Sequence, residues 1–189
     1  MPQRSLDKNA ILAAAAGLAE EIGLENLTLK KLASKLGVKS PSLYNHIEGL
    51  GDLMAGLSAL GFKRFDEAMR DAAVGKSKDD ALRALSFAYR RFAKENPELY
   101  KCMMSLPRPN ASLQQESASA VVRTLLVVLE PYQWEKPDAA HIIRIWKSAI
   151  HGFVTLEAAG FFKAEYDIEE SFSRLIACLL QGMHGPAGK

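Results

Sequence analysis

Apolar residues recur along the chain at the three- and four-residue spacing of amphipathic helices, in segments that glycine and proline separate. The first segment places Ile11, Leu18 and Ile22 on one face together with several alanines, and Gly23 is expected to end it. A second, short helix is predicted to begin after Thr28, whose hydroxyl group can cap it, and to end at Gly37. Two helices are therefore expected close together near the start of the chain.

The next two helices are predicted from local start signals. Ser40 followed by Pro41 indicates a helix start, with a hydroxyl cap and a proline at the first helical position. The apolar spacing carries this third helix to Ile47, and a fourth is predicted from about Gly51 to about Ala72. The remaining predicted helices span 80–95, 97–106, 111–129, 139–159 and 167–183.

The helix 111–129 has a different pattern from its neighbours. From Leu125 to Leu129 it is apolar on all sides, which predicts a central, buried helix. Such a run is also typical of a buried strand, but the sequence offers no second strand to pair with it. The pattern as a whole therefore predicts an all-α chain.

Composition narrows the class of protein. The chain has 189 residues, 48% of them hydrophobic, which suits a sizeable core and excludes a disordered chain. Cys102 and Cys178 do not make a disulfide scaffold, and no Cys/His cluster has the spacing of a zinc site. The N-terminal residues lack the apolar run of a signal peptide, and no membrane span is expected. We therefore expect a protein of a reducing compartment with no metal and no cofactor.

The net charge of +2 is unevenly distributed along the chain. Residues 26–47 contain Lys30, Lys31, Lys35 and Lys39 and no acidic residue, so this segment carries +4 and the rest of the chain −2. Contact with phosphates requires a local cluster of this kind, because each neutralised phosphate releases condensed counterions. Four lysines alone also suit a solvated helix face, so the surrounding pattern has to separate the two interpretations.

The same segment has the spacing of a helix-turn-helix. Ala33 supplies the small residue where two short helices cross, Gly37 tolerates the positive φ of the turn, and Leu43 anchors the second helix. An ordinary helical hairpin would meet the same steric requirements. The coincidence of this spacing with the chain's acid-free basic segment favours a motif that places its second helix in the major groove of DNA.

Several stretches of residues 8–54 form a combined pattern, namely Ile11-Leu12-Ala13-Ala14-Ala15, Gly23, Leu27-Thr28, Leu32-Ala33, Leu36-Gly37-Val38 and Ser42-Leu43-Tyr44-Asn45-His46-Ile47. Together they resemble the N-terminal domain of tetracycline-repressor-like (TetR family) regulators. The resemblance covers residues 8–54. It implies a helix-turn-helix DNA-binding domain of three helices at 1–50 and a helical domain for effector binding and dimerisation at 51–189. A shorter stretch, Trp146 to Phe153, resembles the Trp-His-Gly type of C-terminal domain found in one subgroup.

The resemblance also implies which residues contact DNA. Thr28 would meet a phosphate at a helix N-terminus, and Lys30 stands where relatives can place a base-reading arginine. Lys39 is the stronger candidate at the start of the recognition helix, and Tyr44 and His46 match the phosphate-contacting pair. The complete set is Thr28, Lys30, Lys39, Ser40, Pro41, Ser42, Tyr44, Asn45 and His46.

One position departs from the family pattern. Many relatives have a phosphate-binding lysine where this chain has Leu50, so we expect one contact fewer and a lower affinity or weaker salt dependence. Gly49 and Gly51 on either side would loosen the joint between the two domains, or would simply serve as a helix entry. Both interpretations of the glycines stay open.

An effector site and a dimer interface follow from the resemblance as well. The candidate effector-binding residues are Tyr89, Phe92, Met103, Met104, Leu125, Trp146 and His151, although core packing is the stronger interpretation for any single one. The candidate interface residues are Phe153, Leu156, Phe172, Leu175, Ile176, Leu179 and Met183. A stripe of this kind also suits the core of one chain.

The sequence therefore predicts a bacterial, cytoplasmic, homodimeric repressor that binds a palindromic DNA operator and is released by an unknown small molecule. An enzyme is not expected, because Ser148 and His151 share a helix face but lack an orienting carboxylate and a nucleophile elbow. Two alternatives stay open, a DNA-binding regulator without small-molecule control and a helical carrier of hydrophobic ligands. Added salt separates them, since it weakens DNA binding steeply.

Overall fold

The computed structural model describes residues 6–105, 112–163 and 165–184, and in these ranges the chain is helical, with no strand. The helices are α1 Lys8–Ile22, α2 Leu29–Leu36, α3 Ser40–Leu43, α4 Leu50–Ala73, α5 Lys78–Glu95, α6 Pro97–Ser105, α7 Ser112–Leu129, α8 Lys136–Ala158 and α9 Ile168–His184. The predicted all-α fold is confirmed, whereas Leu106, the predicted end of α6, lies outside the described residues. No helix in these ranges is long and apolar enough to span a bilayer.

Packing divides the chain into two compact units, each with its own core. The first comprises Met1–Phe65 and Asn96–Ala120, and the second comprises Asp66–Glu95 and Val121–Lys189. The predicted domain boundary at residue 50 coincides with the start of α4 and stays a prediction about function. The packing unit that holds α1, α2 and α3 is larger than the predicted domain, because α6 packs against α1.

Local signals set the ends of α1 and α2. Gly23 ends α1 at a φ of +85°, and Gly37 ends α2 at a φ of +67°. Only a residue without a Cβ adopts such angles at little cost, which is why the chain turns at these two positions. Thr28 caps α2 as predicted, since its Oγ1 accepts a hydrogen bond from the backbone N–H of Lys31 at 3.2 Å.

The predicted start and end of α3 are wrong. The helix begins at Ser40, so Lys39 occupies the cap position and makes no capping hydrogen bond through its side chain. It ends at Leu43, and a turn leads on to Ile47, whose N–H still donates to the Leu43 carbonyl oxygen at 3.0 Å. The intervening residues, Tyr44 to His46, have only modest helix propensity, which does not sustain a second turn.

The second unit has a buried charge at the centre of its packed helices. Arg90 on α5 is 4% exposed and donates to both carboxylate oxygens of Glu157 on α8 at 2.7 Å. Nη1 donates to Glu169 at the start of α9 at 2.6 Å, and Nη2, which also donates to Glu157, reaches Glu169 at 2.8 Å. The Phe172 ring covers the guanidinium, with 4.9 Å between the Arg90 Cζ atom and the ring centroid. One side chain thereby connects α5, α8 and α9.

The prediction that α7 is buried on all sides at its end is wrong for the single chain. Leu125, Val128 and Leu129 are buried, but Leu126 and Val127 are exposed, the latter by 68%. A helix needs only one apolar face to pack against its neighbours, and the rest of this run stays on the surface.

Candidate nucleic-acid interface

The geometry of α2 and α3 is that of a helix-turn-helix. Ala33 and Leu43 are buried where the two helices pack, as their spacing predicts. The turn is closed by two backbone hydrogen bonds, from Gly37 N–H to the Ser34 oxygen at 3.1 Å and from Val38 N–H to the Ala33 oxygen at 3.0 Å. The inner side of the motif is therefore packed, and its outer side is left for contacts beyond the chain.

The predicted DNA-binding residues all have exposed or partly exposed side chains. Thr28, Lys30, Lys39, Pro41, Tyr44 and Asn45 are exposed, and Ser40, Ser42 and His46 are partly buried. The Tyr44 ring is 57% exposed between the buried residues Leu43 and Ile47. The side chain is therefore accessible to a phosphate, and its contact with DNA stays a prediction.

The four lysines of residues 26–47 differ in what their ammonium groups contact. Lys35 forms an ion pair with Glu21 of α1, and Lys31 donates to the backbone oxygen of Asn26 at 3.0 Å. Among the residues that the structure describes, Lys30 and Lys39 make no ion pair and no side-chain hydrogen bond. Two of the four charges are therefore used within the chain, and the other two remain available to phosphates or base edges.

Thr28 combines its capping role with a free donor. The Oγ1 atom accepts from Lys31 N–H, while its own hydroxyl proton can still be donated. The first N–H groups of α2 lack partners within the helix, and the helix dipole adds partial positive charge there. This end of α2 is thus suited to a phosphate group.

At the start of α4, Leu50 stands where the resemblance predicts a phosphate-binding lysine, and the acidic Asp52 follows two positions later. Leu50 is 44% exposed, and Asp52 forms an ion pair with Lys8 at 3.0 Å and accepts from Glu48 N–H at 3.1 Å. Partial burial alone would raise the pKa of Asp52, but the bonds from Lys8 and Glu48 lower it overall. Lys8 and Asp52 lie 44 positions apart, so sequence reasoning missed this pair.

The candidate effector-binding residues lie in both compact units. Met103 and Met104 belong to the first unit, and the other five belong to the second. Tyr89 and Trp146 form an edge-to-face contact at 5.9 Å, and Trp146 Nε1 donates to Ser86 Oγ at 2.9 Å. His151 is half-buried, and its pKa lies below the ordinary value because of this burial and the nearby Lys147. Their role in effector binding stays a prediction.

The candidate interface residues differ in how much surface they offer. Phe172, Ile176 and Met183 are buried within their own chain, and Phe172 contacts Phe87 edge to face at 5.2 Å. Four residues of the set keep accessible surface on α8 and α9, namely Phe153, Leu156, Leu175 and Leu179. These four are the part of the stripe that a second chain could reach.

Sequence reasoning missed two buried charged residues, Arg90 and Asp66. The Asp66 carboxylate accepts from Thr124 Oγ1 at 2.6 Å and pairs with Arg70 at 3.0 Å. A signal for Arg90 was present, because Ser86 and Arg90 interrupt the apolar face of α5 at a four-residue spacing. No comparable pattern marks Asp66, whose partner Thr124 is 58 positions away.

Two family models match the chain. Residues 11–47 match the model described as bacterial regulatory proteins, tetR family, and residues 82–179 match the tetracyclin repressor-like C-terminal domain. The first match covers the helix-turn-helix, and the second covers most of α5 to α9. The second includes Trp146 to Phe153 but does not name the Trp-His-Gly subgroup, which stays a prediction.

Known proteins match nearly the whole length of this chain in sequence or in structure. The uncharacterized HTH-type transcriptional regulator YobS of Bacillus subtilis is 34% identical over 96% of this chain and 95% of its own length. A Rhodococcus protein of unknown function is 25% identical and superposes with a TM-score of 0.78, covering 92% of this chain and 93% of that one. A TetR variant of Acinetobacter baumannii in complex with minocycline is 20% identical, with a TM-score of 0.74 over 98% and 100%.

Proposed function

Because the chain belongs to the TetR family, whose members are transcriptional regulators that bind DNA, we propose that it is a homodimeric repressor of a palindromic operator. The observation that carries this proposal is the outer side of the helix-turn-helix. It presents Lys30 and Lys39 without partners in the described chain, next to an exposed Tyr44. No membrane association is proposed, and the site of action is the bacterial cytoplasm.

Helices α2 and α3 make different contacts with DNA. Lys39 and Ser42 on the α3 side reach base edges or backbone oxygens in the major groove, and Lys30 on α2 donates to guanine O6 and N7. Thr28, Tyr44 and His46 hold phosphates, which sets the register of the protein on the duplex. Ser40, Pro41 and Asn45 line the same surface.

Dimerisation follows from the geometry of DNA. Two recognition helices that read a palindrome have to lie about 34 Å apart, one helical turn of the duplex. We propose that the accessible residues Phe153, Leu156, Leu175 and Leu179 on α8 and α9 form the contact between two copies of this chain.

Release from DNA is proposed to follow the binding of a small molecule in the C-terminal domain. The support is the family and the shared fold with the Acinetobacter protein that was solved with minocycline. An effector that binds the DNA-free state better by a few kcal/mol shifts the population away from the operator-bound state.

Selection from a pool of randomised duplexes tests the proposed DNA binding. We expect the purified protein to enrich a palindromic site and to bind it as two chains per duplex. The logarithm of the binding constant should fall linearly with the logarithm of salt concentration, because phosphate contacts release counterions. A shuffled duplex of the same composition is the control. Equal affinity for both duplexes, or an affinity insensitive to salt, would contradict the proposal.

A further inference from the structure

We propose that α6 is a functional part of the DNA-binding unit, joined to α1 by a reciprocal latch between Glu20 and Glu98. In this role both glutamates are positioning residues, which act on DNA through the helix-turn-helix rather than by touching it. The inference rests on the proposed DNA binding. It adds a structural connection through which the position of α6 affects the position of the DNA-contacting helices.

Glu20 closes the latch from the side of α1. Its Oε1 atom accepts from the N–H of Leu99 at 3.0 Å, and its Oε2 atom accepts from the N–H of Glu98 at 3.2 Å. These N–H groups belong to the first turn of α6, where a helix has no internal acceptor for them. A carboxylate at this end also complements the helix dipole. The side chain of one helix therefore serves as the N-terminal cap of the other.

Glu98 closes the latch in the opposite direction. Its Oε2 atom accepts from the backbone N–H of Leu24 at 2.8 Å, immediately after α1 ends at Gly23, and its other oxygen pairs with Lys101. Partial burial would raise the pKa of Glu98, but the bonds from Lys101 and Leu24 lower it overall, so the carboxylate stays ionised at neutral pH. Each helix thus supplies a carboxylate to the backbone of the other.

The latch lies directly before the first predicted phosphate contact. Leu24 begins the 3-10 turn Leu24–Asn26, the buried residue Leu27 follows, and Thr28 is the next residue. Lys31 of α2 donates to the Asn26 oxygen at 3.0 Å, which ties this turn to the helix that Thr28 caps. This short connection from Leu24 to Thr28 is the route by which, in this proposal, a shift of α6 reaches the start of α2.

A second contact holds α6 to the first half of α4. A Cβ atom at Gly61 would lie 2.6 Å from the Cγ atom of Met103, so α4 and α6 approach as closely as a glycine permits. The Met103 side chain therefore packs directly against the backbone of α4 at Gly61, where any larger residue would have to displace it. Helix α1, helix α6 and the part of α4 that ends at Phe65 belong to the same compact unit.

Backbone amide exchange on the full-length protein tests the latch. We expect the duplex obtained by selection to slow exchange in residues 97–105 by about fivefold or more, together with exchange in α1 and α2, because coupling between two sites is reciprocal. Slower exchange in α1 to α3 with unchanged α6 would overturn the inference and leave the proposed function intact. Selection of no duplex would instead refute the proposed function, so the two failures are distinguishable.

Substitutions at Glu20 then separate positioning from general stability. Glu20→Ala should abolish the slowing of α6 by the duplex and weaken operator binding about fivefold, with an unchanged salt slope because no phosphate contact is lost. Glu20→Gln keeps one acceptor oxygen but places an amide NH2 against the second N–H group, so it should restore both properties only in part. Glu21→Ala, which removes the neighbouring carboxylate from the same turn of α1, should leave the slowing of α6 unchanged. If the duplex slows amide exchange in α6 of Glu20→Ala as much as in the wild-type protein, the latch is contradicted. If Glu20→Ala does not fold, the exchange measurement on the wild-type protein still tests the latch.

Discussion

Tyr44 and His46 are placed for contacts outside the chain at little cost to the fold. Tyr44 is exposed and His46 is partly buried, while the intervening turn is anchored by Leu43 and Ile47. The residues that shape the turn are therefore distinct from those that are predicted to contact DNA. Substitution of the second group should separate binding from stability.

Tyr44→Phe and His46→Ala should each weaken operator binding by about five- to tenfold, the value of one hydrogen bond to a phosphate. The melting temperature should change little, since neither side chain belongs to the core. Fluorescence anisotropy of a labelled operator and thermal unfolding measure the two effects. Unchanged operator affinity in both variants would count against these contacts.

The lysines permit a matched comparison of two charges. Lys39→Ala should weaken binding and reduce the salt slope by about one if it contacts a phosphate, or relax sequence preference at one base pair if it reads a base. Lys35→Ala removes the same charge, but its ammonium group is already paired with Glu21, so the loss should be smaller. Equal losses in the two variants would show that only net charge matters.

At the scale of elements, α5, α8 and α9 are held together by the guanidinium of Arg90. Its hydrogen bonds to Glu157 and Glu169 raise the pKa of Arg90, and the pKa values of both carboxyl groups lie below the ordinary range, Arg90 being the largest cause. A buried pair of this kind adds little net stability over an apolar replacement of both partners, but removing one partner alone is costly. The cluster therefore specifies how the three helices meet.

Arg90→Met should lower the free energy of unfolding by about 3 kcal/mol, because Glu157 is then left partly buried with only the exposed Lys94, at 3.4 Å, as a charged partner. The figure takes the low end of the known range, since Glu169 is largely exposed and regains water. Denaturant unfolding measures the change. Arg174→Met, which breaks the exposed pair with Glu170, is the control and should change stability by about 0.5 kcal/mol or less.

Acid should destabilise the second unit through the same cluster. The folded pKa values of Glu157 and Glu169 are depressed, so their contribution is fully present above the ordinary value of 4.5 and is lost as pH falls below it. Arg90→Met should show a weaker pH dependence in that range. The pKa of His151 is also lowered in the folded state, so protonation of this residue reduces stability as pH falls below its ordinary value of 6.5. This loss should be the same in the wild-type protein and in Arg90→Met.

At the scale of the whole molecule, the proposed function depends on two copies of the chain. Phe172, Ile176 and Met183 support the fold of one chain, and a narrower set on α8 and α9 is left for a partner. Leu175 and Leu179 are four positions apart on α9, which puts them on the same face of the helix. They are the residues at which association can be tested without opening the core.

Leu175→Glu and Leu179→Glu should each convert the dimer to a monomer at micromolar concentration, because a carboxylate cannot be desolvated at an apolar contact without a partner. Sedimentation velocity measures the change, and operator affinity should fall as the second half-site contact is lost. Gln181→Glu, an exposed position on the same helix, should remain dimeric. A dimer that persists in both leucine variants would place the interface elsewhere.

Features of the fold and of the candidate site could be predicted from the sequence when the residues that determine them lie close together along the chain. The helix ends at Gly23 and Gly37, the cap at Thr28 and the burial of Ala33 and Leu43 follow from interactions within a few residues. The shortened α3 was missed because the apolar spacing from Leu43 to Ile47 was followed, although Tyr44 to His46 have only modest helix propensity. The apolar end of α7 was misjudged because hydrophobicity alone does not say which face meets a neighbour.

The sequence by itself determined the all-helical fold, the helix-turn-helix and the membership of the TetR family, because spacing, caps and glycine positions act locally. Only the tertiary structure decided which charges remain available, since Lys35 meets Glu21 across 14 positions and Arg90 meets Glu157 across 67. It also decided that α6 packs with the DNA-binding helices, since Glu20 and Leu99 are 79 positions apart. Contacts between residues so far apart in sequence depend on how whole helices pack, and the local sequence pattern around each residue does not determine that packing.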